Sequence, residues 1–342
     1  MELTRPFAEN GDRQDFPVDT QGDGTMSLQQ GFGTFYGLPP EEGGLFIQRP
    51  QFNQLMYLVS KGVIDNKTAT KSLESKYSSL LASSAKLLTK NLEWSVGAGG
   101  KFTNINDALS EASKYLKVHR VTGSLITLKL KSGFVFNEKI HIVNQDLGYV
   151  IIESEDNEVG INASSNVFGS SEVNVLFRGS FAKLPVLKIM VDLDTKSAGN
   201  KRVALMQLFQ SYGIISTNAG CKNAALSAVM VEKASTLYAD NCVIENTGYD
   251  SIFCNSGSMV SANEATIKGS ARYGILTRLG GYVIANNTKL IDQVISDTYP
   301  LSTMLQCESG FIQAKGLITT GSTARLSNIT PNQVTASGII FK

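Results

Sequence analysis

The feature that most constrains this chain is a segment that recurs three times at a constant spacing. The three copies, which share an apolar residue, an alanine, an Asp or Asn and a closing Ile or Leu, occupy 235–244 (STLYADNCVI), 258–267 (SMVSANEATI) and 281–290 (GYVIANNTKL). A looser copy, 213–218, precedes the first by slightly less than one period, and another, 310–314, follows the third by clearly more, which indicates an insertion in one turn. A fixed period of about 20–25 residues is typical of a solenoid.

The type of solenoid follows from the short β-branched runs that fill the chain beyond residue 120. These runs are 125–130, 140–143, 149–152, 173–177 and 186–191. No helical pattern lies between them, which argues against an α/β fold, and the repeated leucines of a leucine-rich repeat are missing. We therefore predict an all-β fold: a parallel β-helix with about 22–23 residues per coil, whose equivalent residues stack about 4.8 Å apart.

Stacking turns the matched positions of the repeat into columns. The apolar positions would fill the interior, and Asp240, Asn263 and Asn286 would form a polar ladder at a bend. A column of like charges would repel itself at this spacing, so a β-helix favours uncharged polar residues. The low charged fraction, 18%, fits this expectation.

The charge balance also excludes some functions. With 31 Lys and Arg against 30 Asp and Glu, the formal net charge is +1, so an electrostatic basis for non-specific nucleic-acid or membrane binding is lacking. No apolar run approaches the roughly 18–20 residues of a spanning helix, and the first residues lack the apolar stretch of a signal peptide. We expect no nucleic-acid partner, no membrane insertion, and synthesis in a cytoplasm.

The first part of the chain has a different composition. Five of the eight prolines lie between positions 6 and 50, where Gly, Gln and aromatic residues are also frequent. We predict three domains: an irregular but ordered segment at 1–66, a helical or coiled-coil linker at 67–93, and the β-helix at 94–342. Within the first segment, Pro50 and Gly62 would begin and end a short helix.

The linker carries apolar residues at coiled-coil spacing. The residues spaced 4-3-4-3 are Leu73, Tyr77, Leu80, Ser84 and Leu87. This spacing covers only about two heptads, which are too short to be stable alone in water. Two interpretations stay open: an amphipathic helix packed on its own domain, or a short self-association bundle supported by flanking domains.

A second helix is predicted at 104–116. Thr103 or Asn104 would cap it, and the residues that share one face are Ile105, Ala108, Leu109, Ala112, Tyr115 and Leu116. Because an open solenoid end exposes strand edges and core, this helix is expected to cap the first coil. The glycines at 97–100 do not form a phosphate-binding loop, since the GxxxxGK[ST] pattern is missing.

Two blocks of the sequence resemble known proteins. The block LTRPFAENGDRQDFPVDTQGDGTMSLQQGFGTFY, followed by RPQFNQLMYLV, resembles the attachment module of bacteriophage tail fibres and tailspikes. The block VGAGGKFTNINDALSEASKYL, with SGFVFNEKIHI and IIESED, is similar to the opening of the pectin- and pectate-lyase-like β-helix of many phage tail proteins, which implies a right-handed parallel β-helix. The resemblance extends from the start of the chain through IIESED, which ends at Asp156, and so covers slightly less than half of the sequence.

The resemblance implies a virion protein of a viral tail or neck appendage. It would be a homotrimer, anchored through residues 1–66 to other tail, collar or baseplate proteins. Its β-helix would bind host cell-surface polysaccharide during host attachment. Two alternatives stay open: a polysaccharide-degrading tailspike, and a structural appendage that carries another fibre.

A depolymerase would need suitable acids on the coils. Glycoside hydrolysis uses two carboxylates, about 5–5.5 Å apart for retention or roughly 6.5–9.5 Å for inversion. The candidate acids are Asp240, Glu245, Asp250, Glu264, Asp292, Asp297 and Glu308. Asp240 is better explained by the polar ladder, Glu264 by exposure to solvent, and Glu245 and Asp250 lie at bends without an evident partner.

Other side chains could bind sugars rather than cleave them. Arg272 and Arg278 could bind an acidic sugar, and five tyrosines could supply stacking surfaces. These tyrosines are Tyr238, Tyr249, Tyr273, Tyr282 and Tyr299. Core or interface packing explains them equally well, and His119 and His141 are interpreted as structural.

The remaining chemistry-bearing residues give no site. The four cysteines, Cys221, Cys242, Cys254 and Cys307, form no CxxC pair, so we expect buried free thiols rather than a zinc or redox site. Neither an HExxH motif nor a Ser/His/Asp constellation is evident. We therefore assign no residue to a catalytic, cofactor-binding or metal-binding role, and we expect no cofactor.

Overall fold

The structure is a computed structural model of the 342-residue chain. It describes residues 4–19, 26–29, 31–32, 36, 38–42, 47–83, 86–117, 123–162, 167–168, 174–194, 203–293, 299, 302–321 and 325–342, with only the backbone described at 77–83 and 117. The chain divides into two compact units, Met1–Ser84 and Ala85–Lys342.

The first unit is built on one long helix. A 3-10 turn, Pro40–Glu42, precedes α1, which runs from Arg49 to Ser83. The predicted helix end at Gly62 is therefore wrong. A glycine inside a helix costs only about 1 kcal/mol relative to alanine, so without a following proline it does not end the helix.

The N-terminal residues lie along α1 and are ordered by polar contacts. The backbone amide of Phe7 donates to Ser60 Oγ at 2.7 Å, and Gln54 Nε2 donates to Asp15 Oδ1 at 2.7 Å. Phe16 is buried beside them in the same unit. No helix in the described part of the chain has the length and apolar character needed to cross a bilayer.

The described residues of the second unit form three long parallel sheets and one short strand pair. Sheet A consists of β2 (Leu92–Val96), β4 (Ile126–Leu130), β7 (Val150–Ser154), β10 (Lys183–Leu187), β13 (Tyr212–Ile215), β16 (Thr236–Tyr238), β19 (Met259–Ser261), β22 (Tyr282–Ile284), β25 (Gly310–Gln313) and β28 (Gly338–Phe341). Sheet B consists of β5 (Val135–Phe136), β8 (Val159–Ile161), β11 (Met190–Asp192), β14 (Gly220–Lys222), β17 (Val243–Glu245), β20 (Thr266–Lys268), β23 (Lys289–Ile291) and β26 (Ile318–Thr320). Sheet C consists of β6 (Ile140–Val143), β9 (Asn174–Ser180), β12 (Val203–Phe209), β15 (Val229–Glu232), β18 (Ile252–Cys254), β21 (Tyr273–Arg278), β24 (Thr303–Glu308) and β27 (Arg325–Ser327).

The chain passes from sheet A to B to C and then returns to A one coil further along. This path confirms the predicted right-handed parallel β-helix. The run 186–191 contains not one strand but the end of β10 and the start of β11, because the chain turns a corner there. The core lies between the three sheets, and all four cysteines are buried free thiols in it, as predicted.

The register confirms the three regular copies of the repeat. Leu237 pairs with Val260 and then Val283, as the constant spacing predicts, and Val283 pairs with Ile312 across the longer predicted offset. The alignment of the looser copy is wrong, because Gly213, expected opposite Ser235, pairs with Leu237. The connection from β15 to β16 is one residue longer than the connection from β12 to β13. This extra residue shifts the register in which β13 pairs with β16.

The polar ladder is also confirmed. Asp240 Oδ1 accepts the backbone amide of Asn263 at 2.8 Å, and Asn263 Oδ1 accepts that of Asn286 at 3.2 Å. Asn286 Oδ1 in turn accepts the amide of Lys315 at 3.1 Å. Each side chain thus satisfies a backbone donor of the next coil at a bend, which is a structural role.

The predicted cap is a shorter helix than expected. Helix α2 spans Ile105–Ala112, with Asn104 as its N-cap accepting from the amide of Asp107 at 2.8 Å. The predicted helix over 104–116 was too long, because its last residues form β3 (Tyr115–Lys117) and pair with β1 (Lys86–Leu88). The apolar face of α2 is buried in the core beside the first strands of sheet A.

The carboxylate of Glu138 supports the start of this cap. Its Oε1 accepts the backbone amide of Ile105 at 2.7 Å, and its Oε2 accepts from Asn106 Nδ2 at 2.5 Å. We expect Glu138→Ala to lower the free energy of unfolding by about 1–2 kcal/mol and to speed hydrogen exchange at α2, because helix N-terminal donors lose their partner. The exposed Glu93→Ala is the matched control; an equal loss in both variants would contradict this role.

Candidate functional site

One corner of the β-helix, between sheets B and C, carries an insertion. Eleven residues, 292–302, separate β23 from β24, whereas four residues, 269–272, separate β20 from β21 one coil earlier. Tyr299 of the longer connection packs on Tyr249 of an earlier coil, with ring centroids 5.3 Å apart. Insertions in solenoids often form the binding face, so this corner is a candidate binding site.

A buried ion pair holds the corner together. Arg272 donates from Nε to Asp250 Oδ1 at 2.8 Å and from Nη2 to Asp250 Oδ2 at 2.5 Å. Ser227 Oγ donates to the same carboxylate at 3.2 Å, and the Asp250 side chain is only 1% exposed. The two-fold hydrogen bond fixes the guanidinium plane, which a single contact would leave free to turn.

Three tyrosines surround the fixed guanidinium. The guanidinium carbon of Arg272 lies 4.9 Å from the ring centre of Tyr249, 5.0 Å from that of Tyr273 and 6.0 Å from that of Tyr299. These are distances at which a cation is attracted to an aromatic face. We call Tyr249, Arg272, Tyr273 and Tyr299 the corner cluster.

A second, more exposed ion pair lies beside the corner cluster on sheet C. Arg278 and Glu308 are register partners on β21 and β24, and Arg278 Nε donates to Glu308 Oε2. Burial acts to raise the pKa of Glu308, but hydrogen bonds from Arg278 and Gln306 outweigh it, and the pKa is lowered. The pKa of Tyr273 is raised chiefly by burial, and the charged groups of both ion pairs, Asp250–Arg272 and Arg278–Glu308, also act on it.

The electrostatics favour binding over acid catalysis here. Burial raises the pKa of Asp250, and the hydrogen bonds from Arg272 and Ser227 oppose this only in part. A general acid must reach the oxygen that it protonates, and the Asp250 carboxyl is enclosed. The half-buried tyrosine rings, by contrast, offer an apolar plane with a hydroxyl, which suits a sugar ring.

The structure places the other candidate acids elsewhere. Asp240 belongs to the polar ladder, and Glu264 is exposed at a bend with a φ of 57°. Glu245 does not lie at a bend but in strand β17, where its register partners are Lys222 and Lys268.

Asp292 is the first residue of the inserted connection between β23 and β24 and has a φ of 49°. Asp297 and His119 lie outside the described residues. His141 is on β6, and burial together with neighbouring Arg178 lowers its pKa.

The predicted tyrosines fall into two groups. Tyr249, Tyr273 and Tyr299 meet in the corner cluster, whereas Tyr238 and Tyr282 lie on sheet A. Tyr238 packs on Tyr212, with ring centroids 5.7 Å apart, and the Tyr282 hydroxyl donates to Gln313 at 3.0 Å. Sequence reasoning therefore found the residues of the corner cluster but not that they come together.

Sequence reasoning missed a cleft of about 770 Å³ near the first coils. Aromatic, amide and charged side chains line it, among them Tyr115, Gln145, Asp146, Lys183 and Tyr212. Lys183 Nζ donates to Asp146 Oδ2 at 2.7 Å across its edge. No sequence signal pointed to this cleft, because its residues come from coils of irregular length.

Within the described residues, no group of three or more His, Cys, Asp or Glu side chains is placed to hold a metal ion.

Comparison with known proteins assigns neither a family nor a function to the chain. No model of a protein family matches the chain, and no curated protein matches its sequence. The resemblance to phage tail proteins therefore rests on the quoted blocks of sequence.

Proposed function

We propose that this chain is a virion protein of the tail-fibre or tailspike type, which binds host cell-surface polysaccharide through its β-helix. Residues 1–66 would attach it to another virion protein of the tail, collar or baseplate. The observation that carries the binding proposal is the corner cluster, where three tyrosine rings surround an arginine held by a buried carboxylate.

The corner cluster is arranged to bind a ligand without much reorganisation. Asp250 holds the Arg272 guanidinium in a single orientation, and the insertion places Tyr299 against Tyr249. A preorganised site loses less conformational entropy when a flexible glycan binds. Exposed Arg278 lies beside it and could contact a carboxylate or phosphate on an acidic sugar.

Binding can be tested on an array of bacterial capsular polysaccharides and O-antigens. For a polysaccharide that the native protein binds, we expect Tyr249→Ala to weaken binding by about tenfold or more, because an aromatic anchor at a binding surface often contributes above about 1–2 kcal/mol. The control is Tyr238→Ala on sheet A, which should leave binding unchanged. Circular dichroism checks that both variants keep the fold.

Three outcomes would contradict this proposal. If the native protein binds no polysaccharide and antibodies to the coils do not block phage adsorption, a structural appendage is favoured. If Tyr212→Ala rather than Tyr249→Ala abolishes binding, the site is the cleft instead. If incubation shortens the polysaccharide chains, the protein is a depolymerase and the binding-only function is wrong.

A further inference from the structure

Two cations lie against one aromatic ring on sheet C. The guanidinium carbon of Arg178 is 5.0 Å from the ring centre of Phe209, and Lys233 Nζ is 4.9 Å from the same centre. Arg178 lies on β9, Phe209 ends β12 and Lys233 directly follows β15, so three successive strands of sheet C supply them. At these distances a cation is attracted to an aromatic face. We call Arg178, Phe209 and Lys233 the cation cluster.

Neither cation is neutralised by a carboxylate of this chain. In the part of the chain that the structure describes, the side chains of Arg178 and Lys233 form no ion pair and no hydrogen bond. Glu232 precedes Lys233, but its carboxylate accepts from Gln207 Nε2 at 2.9 Å. Because both cations contact the same ring, they are at most about 10 Å apart and repel each other. An anion bound between them would remove this repulsion.

The arginine of the cation cluster differs from the two arginines near the corner cluster in its free donors. Arg272 donates from Nε and Nη2 to Asp250. Arg278 donates from Nε to Glu308. The guanidinium of Arg178 donates to no described residue, so all of its N–H groups are available to a ligand. A guanidinium with free donors binds a carboxylate or a phosphate through two parallel hydrogen bonds.

The backbone that carries Lys233 is fixed by both neighbouring coils. Its carbonyl oxygen accepts the amide of Gln210 at 3.2 Å, and the amide of Ala234 donates to the carbonyl oxygen of Ser256 at 2.9 Å. Arg178 lies inside a strand that pairs on both sides. An anion that binds here therefore orders two side chains and no loop, which keeps the entropic cost of binding small.

His141 senses the positive potential of the cation cluster. It lies on β6, the end strand of sheet C, which pairs with β9, and its register partner there is Arg178. Burial and the charge of Arg178 both lower the pKa of the His141 imidazole. A bound anion would offset the charge of Arg178, so this imidazole can report whether the cation cluster is occupied.

We propose that the cation cluster is an oxyanion-binding site, which takes a carboxylate or phosphate group. Arg178 supplies paired N–H donors, and Lys233 supplies a second positive charge. The site is separate from the corner cluster, because Phe209 ends its strand whereas Arg272 precedes the start of β21. Strand β21 also lies three coils, or about 14 Å, further along sheet C than β12. The proposal therefore does not depend on polysaccharide binding at the corner cluster.

Calorimetric titration of the full-length protein with two probes tests this site. Inorganic phosphate represents a free ion. Oligogalacturonate, which has a carboxylate on every sugar, represents an acidic saccharide, and its methyl ester is the uncharged counterpart. We expect at least one charged probe to bind, oligogalacturonate about tenfold or more tightly than its ester, and binding to weaken as salt screens the charges. Binding of phosphate alone would assign the site to a free ion.

Substitutions locate the binding on the surface. Arg178→Gln is expected to weaken binding of the charged probe by about tenfold, and Arg178→Lys by less, because lysine keeps the charge but lacks the paired donors. The matched control is Arg325→Gln, an exposed arginine on β27 of the same sheet, which should bind as the native protein does. No binding of either probe, or an equal loss in the Arg178 and Arg325 variants, would overturn the proposal.

Nuclear magnetic resonance of His141 supplies a measurement that a change in stability alone would not move. The charged probe should raise the pKa of His141 in the native protein and leave it unchanged in Arg178→Gln. Tyr249→Ala should keep this response even if it loses polysaccharide binding at the corner cluster. If Tyr249→Ala abolishes binding of the charged probe and Arg178→Gln does not, the anion binds at the corner cluster and this proposal is wrong.

Discussion

Replacing Arg272 with alanine is expected to lower the free energy of unfolding by about 3–5 kcal/mol at neutral pH. The substitution leaves the Asp250 carboxylate 1% exposed without its cationic partner, and Ser227 alone cannot compensate the charge. The loss can be measured by urea denaturation with tryptophan fluorescence and circular dichroism. The glycan binding that we propose for the corner cluster should fall with it, since Arg272 lies among the three tyrosines.

Arg278→Ala is the matched control for this prediction. Arg278 also pairs with a carboxylate, but its side chain is 44% exposed, and exposed ion pairs contribute about 1 kcal/mol or less. A loss in Arg278→Ala as large as in Arg272→Ala would mean that burial of the Asp250 pair does not govern the stability of this corner.

The Arg272→Ala deficit should also depend on pH. Burial raises the pKa of Asp250, and removal of Arg272 takes away the strongest opposing interaction. A group whose pKa is raised in the folded state contributes stability that is present below its unfolded pKa, about 3.9, and lost as pH rises through the folded pKa. The deficit should therefore be smaller at about pH 4 than at pH 7. The double variant with Asp250→Asn should remove this difference, and a deficit that grows in acid would contradict the explanation.

Gly220→Ala is expected to destabilise the β-helix by about 3 kcal/mol or more. Gly220 is the first residue of β14 and has a φ of 149°, a value that residues with a side chain rarely adopt. A Cβ there would clash with the backbone carbonyl oxygen of Val243 in the next coil. Since that oxygen belongs to a neighbouring strand, relief requires the two coils to separate.

The control for Gly220 is another glycine with positive φ but open surroundings. Gly257 has a φ of 68°, and a Cβ built there meets nothing within 4 Å. Gly257→Ala should therefore cost only the left-handed backbone penalty, about 1–2 kcal/mol. Differential scanning calorimetry of both variants distinguishes the two causes; equal melting temperatures would show that contact with Val243 contributes nothing.

The sequence by itself determined the fold and its regular columns. Because each coil of a β-helix places equivalent residues in equivalent environments, the same residue types recur at the same spacing. Leu237, Val260 and Val283 therefore revealed an interior column, and Asp240 and Asn263 revealed the ladder. The repeat does not predict the boundaries of α1. Gly62 was expected to end this helix, but a single interior glycine only weakens a helix.

Only the tertiary structure decided which polar residues form the candidate site. Tyr249 and Tyr299 lie on different coils and meet because an insertion changes the length of one corner, which the period of the repeat does not describe. The sequence spacing between Asp250 and Arg272 is one residue shorter than the spacing of the repeat. The two residues therefore do not belong to the same column of stacked positions. The strands can be predicted from the sequence because they stack at a constant spacing. At a corner of irregular length no such spacing exists, and only packing determines where each side chain lies.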